Sequence, residues 1–365
     1  MPSDTPTNTA VVKTKQGQPN IHALFRKSQF LGHIDYDTVF RSPSILATRL
    51  LDSPQALHWV YAFLYGTNAH TDVPIGYIPP DFTVPLKGDA VPKQYACNKA
   101  VGQLSAKDIK DVRKALTGLA HKCHFQVRDV GDGILGETAV SDLNKEYAII
   151  SIDDSVYRRA LLRQSYSVAE NALFDLELAM IMLHEIAHAL NFHYMRGRLE
   201  GFFEGSLIAE HGFELESRIF GLCPHIPRQY PALRSTWYPW QTRKFFTPGG
   251  YDADFKCRHE WKLPKTSPDT PLDPDFAIKL CSDEFWEGEY LQQGAVALIP
   301  DVVQELCREG RQDIITKAVP LSIRELFPRE HHPGAKKLRG EKVPWIRETL
   351  MGIQETSCRQ RGRRW

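Results

Sequence analysis

What the chain lacks narrows the field first. No stretch approaches the roughly 18 apolar residues of a membrane span. Met1 to Asn20 is polar and rich in Thr, Pro and Asn, without the apolar core of a signal peptide. Formal net charge is only +1 over 365 residues, so no global field draws the chain to nucleic acid or to a membrane surface. The seven cysteines (97, 123, 223, 257, 281, 307 and 358) are odd in number, widely scattered and form no C-x-x-C pair. That argues against a disulfide framework and a Cys-rich structural zinc site, and fits free thiols in a reducing compartment. There is no G-x-S-x-G and no Gly-rich phosphate cradle, so serine-hydrolase and phosphoryl-transfer chemistry have no support. These absences lead to the expectation of a soluble, cytoplasmic protein with neither a nucleic-acid nor a membrane partner.

What is present can build a sizeable core, since 42% of the residues are hydrophobic. Residues 1–20 read as disordered, 21–222 as the catalytic region, 223–330 as an aromatic, Pro-rich region walling a cleft, and 331–365 as a basic segment. That last segment holds Lys336, Lys337, Arg339 and the closing arginines, and reads as a solvated tail. Ser53-Pro54 opens a helix through Leu64, with Ser as cap and Pro in the first turn. Ser105 and Asp108 open another, ending near Gly118. Phe125–Arg128 alternates like a strand, and Tyr147–Ile152 is a second, β-branched one. Ser167 and Glu170 have capping-box spacing, and no Gly or Pro interrupts the chain from there to about Tyr194. That run is apolar almost all round, the mark of a helix buried in a domain's centre. A further helix is expected from about Gly205 to Phe220, closed by Gly221. Short helices are expected around 283–309 and 341–356.

The long apolar helix carries His184-Glu185-Ile186-Ala187-His188, an H-E-x-x-H pattern. Positions i and i+4 share a helix face, so both imidazoles can reach one Zn²⁺ at about 2.0–2.1 Å. Glu185 lies beside the first of them, placed to reach a water without ligating the metal. A chain of this composition offers about 0.03 such patterns by chance. Two buried imidazoles flanking a carboxylate would also be costly without a metal that explains all three.

The segment Ile181-Met-Leu-His184-Glu185-Ile-Ala-His188-Ala189-Leu190 resembles the active-site helix of zincin metallopeptidases. The resemblance covers roughly residues 145–222. It implies an α+β, zincin-like fold in which a small twisted sheet packs on the motif helix and a Glu-bearing helix returns beside it. It also implies residues 148–152 as the edge strand that receives substrate, Zn²⁺ as cofactor, and Glu185 as general base and proton donor.

A catalytic zinc needs a third protein ligand. The metzincin pattern fails, because Asn191 stands at its Gly position, Tyr194 at its His position, and His193 comes one residue early. The site is similar instead to gluzincins, in which a Glu on a following helix completes the set. Glu210 fits best, with Glu214 one turn on as a carboxylate orienting His184 or His188. Glu214, Glu216, Glu204 and His193 stay open as ligands. The stretch Glu210-x-Gly212-x-x-x-Glu216-x-x-Ile219-Phe220-Gly221 also resembles a segment of poorly characterised fungal zincin-like proteins, although Leu222 replaces their second Gly. His211, Tyr194 and Tyr238 are candidates to stabilise an oxyanion. His121, Cys123 and His124, and His331-His332, read as surface clusters. The expected activity is peptide hydrolysis. The alternative is a zincin-fold enzyme using zinc as a Lewis acid on a small molecule, such as a lyase or cyclase.

Overall fold

The computed structural model describes residues 20–69, 94–97, 99–131, 134–141, 146–195, 202–203, 210–225, 232–234 and 270–308. The chain divides into two units, Met1–Pro328 and Arg329–Trp365, and all described residues belong to the first. Several sequence expectations lie outside them: disorder over 1–19, the 341–356 helix, the basic tail, Glu204, Tyr238 and His331-His332.

The architecture is α+β. In chain order it comprises α1 (Tyr36–Val39), α2 (Arg41–Leu51), α3 (Pro54–Tyr65), β1 (Thr67–Ala69), β2 (Gln94–Ala96), α4 (Ala106–Ala120), β3 (Cys123–Arg128), β4 (Gly136–Val140) and β5 (Ala148–Asp153). Then come α5 (Asp154–Leu161), α6 (Val168–Met195), β6 (Phe202–Phe203), α7 (His211–Phe220), β7 (Cys223–His225), β8 (Ala232–Arg234) and β9 (Thr270–Pro271). Last are α8 (Pro274–Cys281), a π-helical turn at Phe285–Glu289 running into α9 (Tyr290–Gln293), and α10 (Asp301–Arg308).

The start signals act as their chemistry demands. Ser53 Oγ accepts from the Ala56 N–H, and Ser105 and Asp108 close a reciprocal capping box. Ser167 and Glu170 close another, with Glu170 Oε2 accepting from the Ser167 N–H at 2.8 Å. α6 then runs 28 residues. Leu176, Leu178, Met182, Leu183, Ile186, Leu190 and others on it are fully buried, each such side chain contributing about 1.5–3 kcal/mol. Two ion pairs anchor its first half. Arg159 grips Glu177 with both terminal nitrogens (3.0 and 3.2 Å), and Arg163 pairs with Asp175 at 2.7 Å. Both acids are buried, so removing either arginine would strand a buried charge. No helix among the described residues is long and apolar enough to cross a membrane.

The described residues form three small sheets, ordered β1-β2-β6, β3-β5-β4 and β7-β8-β9. The second positions the motif. β5 lies in its centre, parallel to β3 and antiparallel to β4. Phe30 bridges to Phe125 along the outer side of β3, leaving β4 as the edge among the described residues. The expectation of an edge strand at 148–152 is therefore corrected. Ile150 and Ile152 are fully buried between neighbours, as a central strand requires. α8 and Leu272, Phe285, Trp286, Leu298 and Val303 join the same hydrophobic core as the residues before 222.

The N-terminal segment carries an acid-sensitive joint. His22 Nδ1 accepts from the Leu24 N–H at 3.2 Å, so the cap needs a neutral ring. Burial, with Arg26 and Arg113 nearby, lowers its pKa from 6.5 to about 4. Between those values the unfolded chain binds a proton that the folded one refuses, so stability falls as pH falls. The loss is of order 3 kcal/mol by pH 4. His22→Asn keeps an acceptor and removes the titration. Urea unfolding at pH 7 and pH 4.5 should show a smaller acid loss in the variant, and an equal loss would exclude this role for His22.

Candidate metal centre

α6 presents His184 and His188 one turn apart, ring centroids 4.9 Å from each other. Their side chains keep 18% and 21% exposure, whereas Glu210 is sealed at 1%. Glu210 Oε1 lies 2.9 Å from His188 Nε2 and 3.4 Å from His184 Nε2. Three donors bonded tetrahedrally at about 2.0–2.1 Å would stand about 3.3 Å apart. The two distances from Glu210 Oε1 bracket that value, as a shared zinc ion would require. His184, Glu185 and His188 also form a metal-capable group, with one donor atom of each within 4.8 Å of the others.

The returning helix begins later than its sequence suggests. Glu210 is not a helical residue but the N-cap of α7, extended at φ −147° and ψ 111°. Its carboxylate accepts from the Gly212 N–H (3.2 Å) and the Phe213 N–H (2.5 Å). The positive end of the helix thus orients and stabilises the anion. The Glu214 N–H closes the first helical bond to Glu210 O at 3.1 Å. The Glu214 carboxylate meets Arg218, 3.7 Å away, with both side chains buried.

The carboxylate that orients a histidine is Glu216, whose Oε1 lies 2.8 Å from His184 Nδ1. Gly212, one turn before Glu216, passes so close that an added Cβ would lie 2.4 Å from the His184 ring. Phe213 meets the same ring edge-on at 4.8 Å. Burial by itself would lower the His184 pKa, but the Glu210 and Glu216 carboxylates outweigh it and raise the value to about 9. A metal on Nε2 would replace that proton and leave the Nδ1–H donated to Glu216. Glu216→Gln should weaken zinc binding about 10–100-fold, the usual cost of losing an outer hydrogen bond to a ligand. Glu214→Gln should change it far less. Competition with a chromophoric chelator measures both, and the reverse order would reassign the orienting acid to Glu214.

Glu185 projects from α6 toward β4 and is buried at 4% exposure. Thr138 Oγ1 donates to its Oε2 at 2.6 Å. The ladder shows how the edge strand offers its backbone. The Asp153 N–H donates to Leu135 O (3.0 Å) and the Ser141 N–H to Tyr147 O (2.8 Å). Hydrogen-bonded pairs alternate along an antiparallel ladder, so 135, 137, 139 and 141 face β5. The N–H and C=O groups of Gly136, Thr138 and Val140 point to the outer edge, where no described strand pairs.

The remaining candidates lie elsewhere. His193 meets Tyr194 edge-on, near Lys122 and Glu146. The Tyr194 hydroxyl donates to Ala115 O at 2.8 Å and ties α6 to α4. His211 is fully buried against Trp59 and Phe63 of α3. Adjacent positions of β3 alternate in direction, which separates Cys123, buried, from His124, stacked on Tyr147. Neither β4 nor Thr138 carries a signal in the sequence, and Glu216 was legible only as one acid among several.

No protein family, no curated protein and no solved structure matches the chain.

Proposed function

We propose that this chain is a zincin-type, gluzincin-like zinc hydrolase that cleaves amide bonds in extended peptides. The observation carrying that reading is the convergence of His184 Nε2, His188 Nε2 and Glu210 Oε1 beside a buried Glu185 that is bonded to β4, a strand with one edge unpaired among the described residues. His184, His188 and Glu210 hold the metal. Glu216 fixes the His184 ring through Nδ1. Zinc supplies a Lewis acid there and lowers the pKa of water. Glu185 accepts the proton of the attacking water and returns it to the departing amine. The outward backbone groups of Gly136, Thr138 and Val140 pair with the substrate main chain as an added strand. That edge favours a peptide over a small molecule, because main-chain pairing needs a substrate with a main chain. The thiols of Cys123 and Cys281 are free, which suits a cytoplasmic enzyme.

The test is cleavage of a diverse peptide mixture by zinc-loaded protein, read by mass spectrometry, with chelator-stripped protein alongside. Zinc-dependent cleavage supports the assignment and reveals side-chain preference. No cleavage with stoichiometric zinc bound overturns the peptidase reading and leaves Lewis-acid chemistry on a small molecule.

A further inference from the structure

The edge strand does more at this site than offer backbone groups. Thr138 stands mid-β4, on the face that meets α6. Its Oγ1 lies 2.6 Å from Glu185 Oε2 and 3.1 Å from the Glu185 backbone oxygen. A hydroxyl has one proton to give, and the shorter contact, to the carboxylate, takes it. Short O–H···O⁻ bonds of this kind are among the stronger ones available to a side chain. Two residues earlier, Gly136 approaches the other oxygen. A Cβ there would sit 2.9 Å from Glu185 Oε1 and 3.0 Å from its Cγ. One strand thus treats the two carboxylate oxygens differently, gripping Oε2 and leaving room beside Oε1.

We propose that Thr138 is the positioning residue for Glu185. It fixes Oε2, so that Oε1 is the oxygen that takes up and returns the proton, and Gly136 lacks a side chain because one would crowd that oxygen. This rests on the hydrolase reading above. The terminal torsion of a glutamate is broad, and a carboxylate free to swing spends much of its time misaligned. The Thr138 bond removes that freedom. It also survives the proton transfer: once Oε1 carries the proton, Oε2 remains an acceptor and the hydroxyl keeps donating to it. The backbone N–H and C=O of the same residue face the open edge. A substrate strand pairing there is held in register with the residue that holds the base, so one position aligns both reaction partners.

A residue that merely knits β4 to α6 would affect stability and leave chemistry alone. The experiment compares full-length, zinc-loaded wild type with Thr138→Val, which keeps the shape and loses the donor, and Thr138→Ser, which keeps the donor. The first readout is binding of acetohydroxamate, which chelates zinc through its two oxygens and hydrogen-bonds the neighbouring base. It requires no known substrate. The second is kcat and KM on a peptide cleaved by the wild type. Thr138→Val should retain stoichiometric zinc, bind the hydroxamate about 10-fold more weakly and lose about 10–100-fold in kcat with KM within about twofold. Thr138→Ser should stay within about threefold on both. Wild-type hydroxamate affinity and kcat in Thr138→Val would overturn the positioning role and leave the hydrolase reading standing. Zinc loss in Thr138→Val would also overturn it, by making Thr138 a support of the metal. A zinc-loaded wild type that does not bind the hydroxamate would sink the hydrolase reading, and the positioning role with it.

Discussion

Glu185→Gln is expected to leave zinc in place and lower turnover by about 10³-fold, within the range that a general base contributes. The substitution keeps the shape of the side chain and removes its capacity to take a proton. Nothing in the donor set changes, since His184 Nε2, His188 Nε2 and Glu210 Oε1 belong to other residues. The Thr138 hydroxyl can still donate to the carboxamide oxygen, so the side chain stays against β4. Loss of activity should therefore appear in kcat with little change in KM or zinc content. Single-turnover cleavage of a substrate from the peptide mixture, beside metal analysis of the same sample, checks both halves. Turnover within about tenfold of the wild type would remove Glu185 from the chemistry. Loss of zinc would instead make it a ligand.

The long motif helix was legible because local and global signals agree there. Ser167 and Glu170 mark its start, no Gly or Pro interrupts it, and its apolar residues are too many for a surface helix. That His184 and His188 share one face follows from helix periodicity alone. β4 was not legible. Gly136, Glu137 and Ala139 are poor strand formers, and their conformation comes from pairing with β5, which no local pattern encodes. The mistaken edge at 148–152 had a readable remedy, because a dense β-branched run is the signature of a strand covered on both sides.

The second acidic segment shows a different limit. Glu210 is the cap of α7 and not a helical residue, and a glutamate is an unusual N-cap beside Ser, Thr, Asp or Asn. Once Glu210 caps the helix, the face toward His184 belongs to Gly212 and Glu216, four apart. In the proposed site, the spacing Glu210-x-Gly212-x-x-x-Glu216 therefore supplies a ligand, a gap for the His184 ring and an orienting acid. Sequence displays the three residues but not which element each belongs to. Gly221, left-handed at φ 80°, ends the helix as its sequence position indicates.

Gly212→Ala should cost nearly as much metal affinity as deleting a ligand, although Gly212 ligates nothing. An added Cβ would lie 2.4 Å from His184 Cγ and Nδ1 and 2.5 Å from Cδ2. No flexible tip can yield, because the obstacle is a ring held on one side by Glu216 and, in the proposed site, on the other by zinc. Either the ring turns and loses the Glu216 bond, or the start of α7 retreats and carries the Glu210 carboxylate with it. Both break the donor set, so zinc affinity should fall by about 100-fold or more, with about 1–3 kcal/mol of overpacking in the metal-free protein. Gly288→Ala is the matched control, since an added Cβ there meets nothing within 4 Å. A double-mutant cycle isolates the cause. In a His184→Ala background the ring is gone, and Gly212→Ala should then cost little stability. If the glycine substitution destabilises the metal-free protein equally in both backgrounds, the collision with His184 is not its origin, and α7 itself requires the glycine.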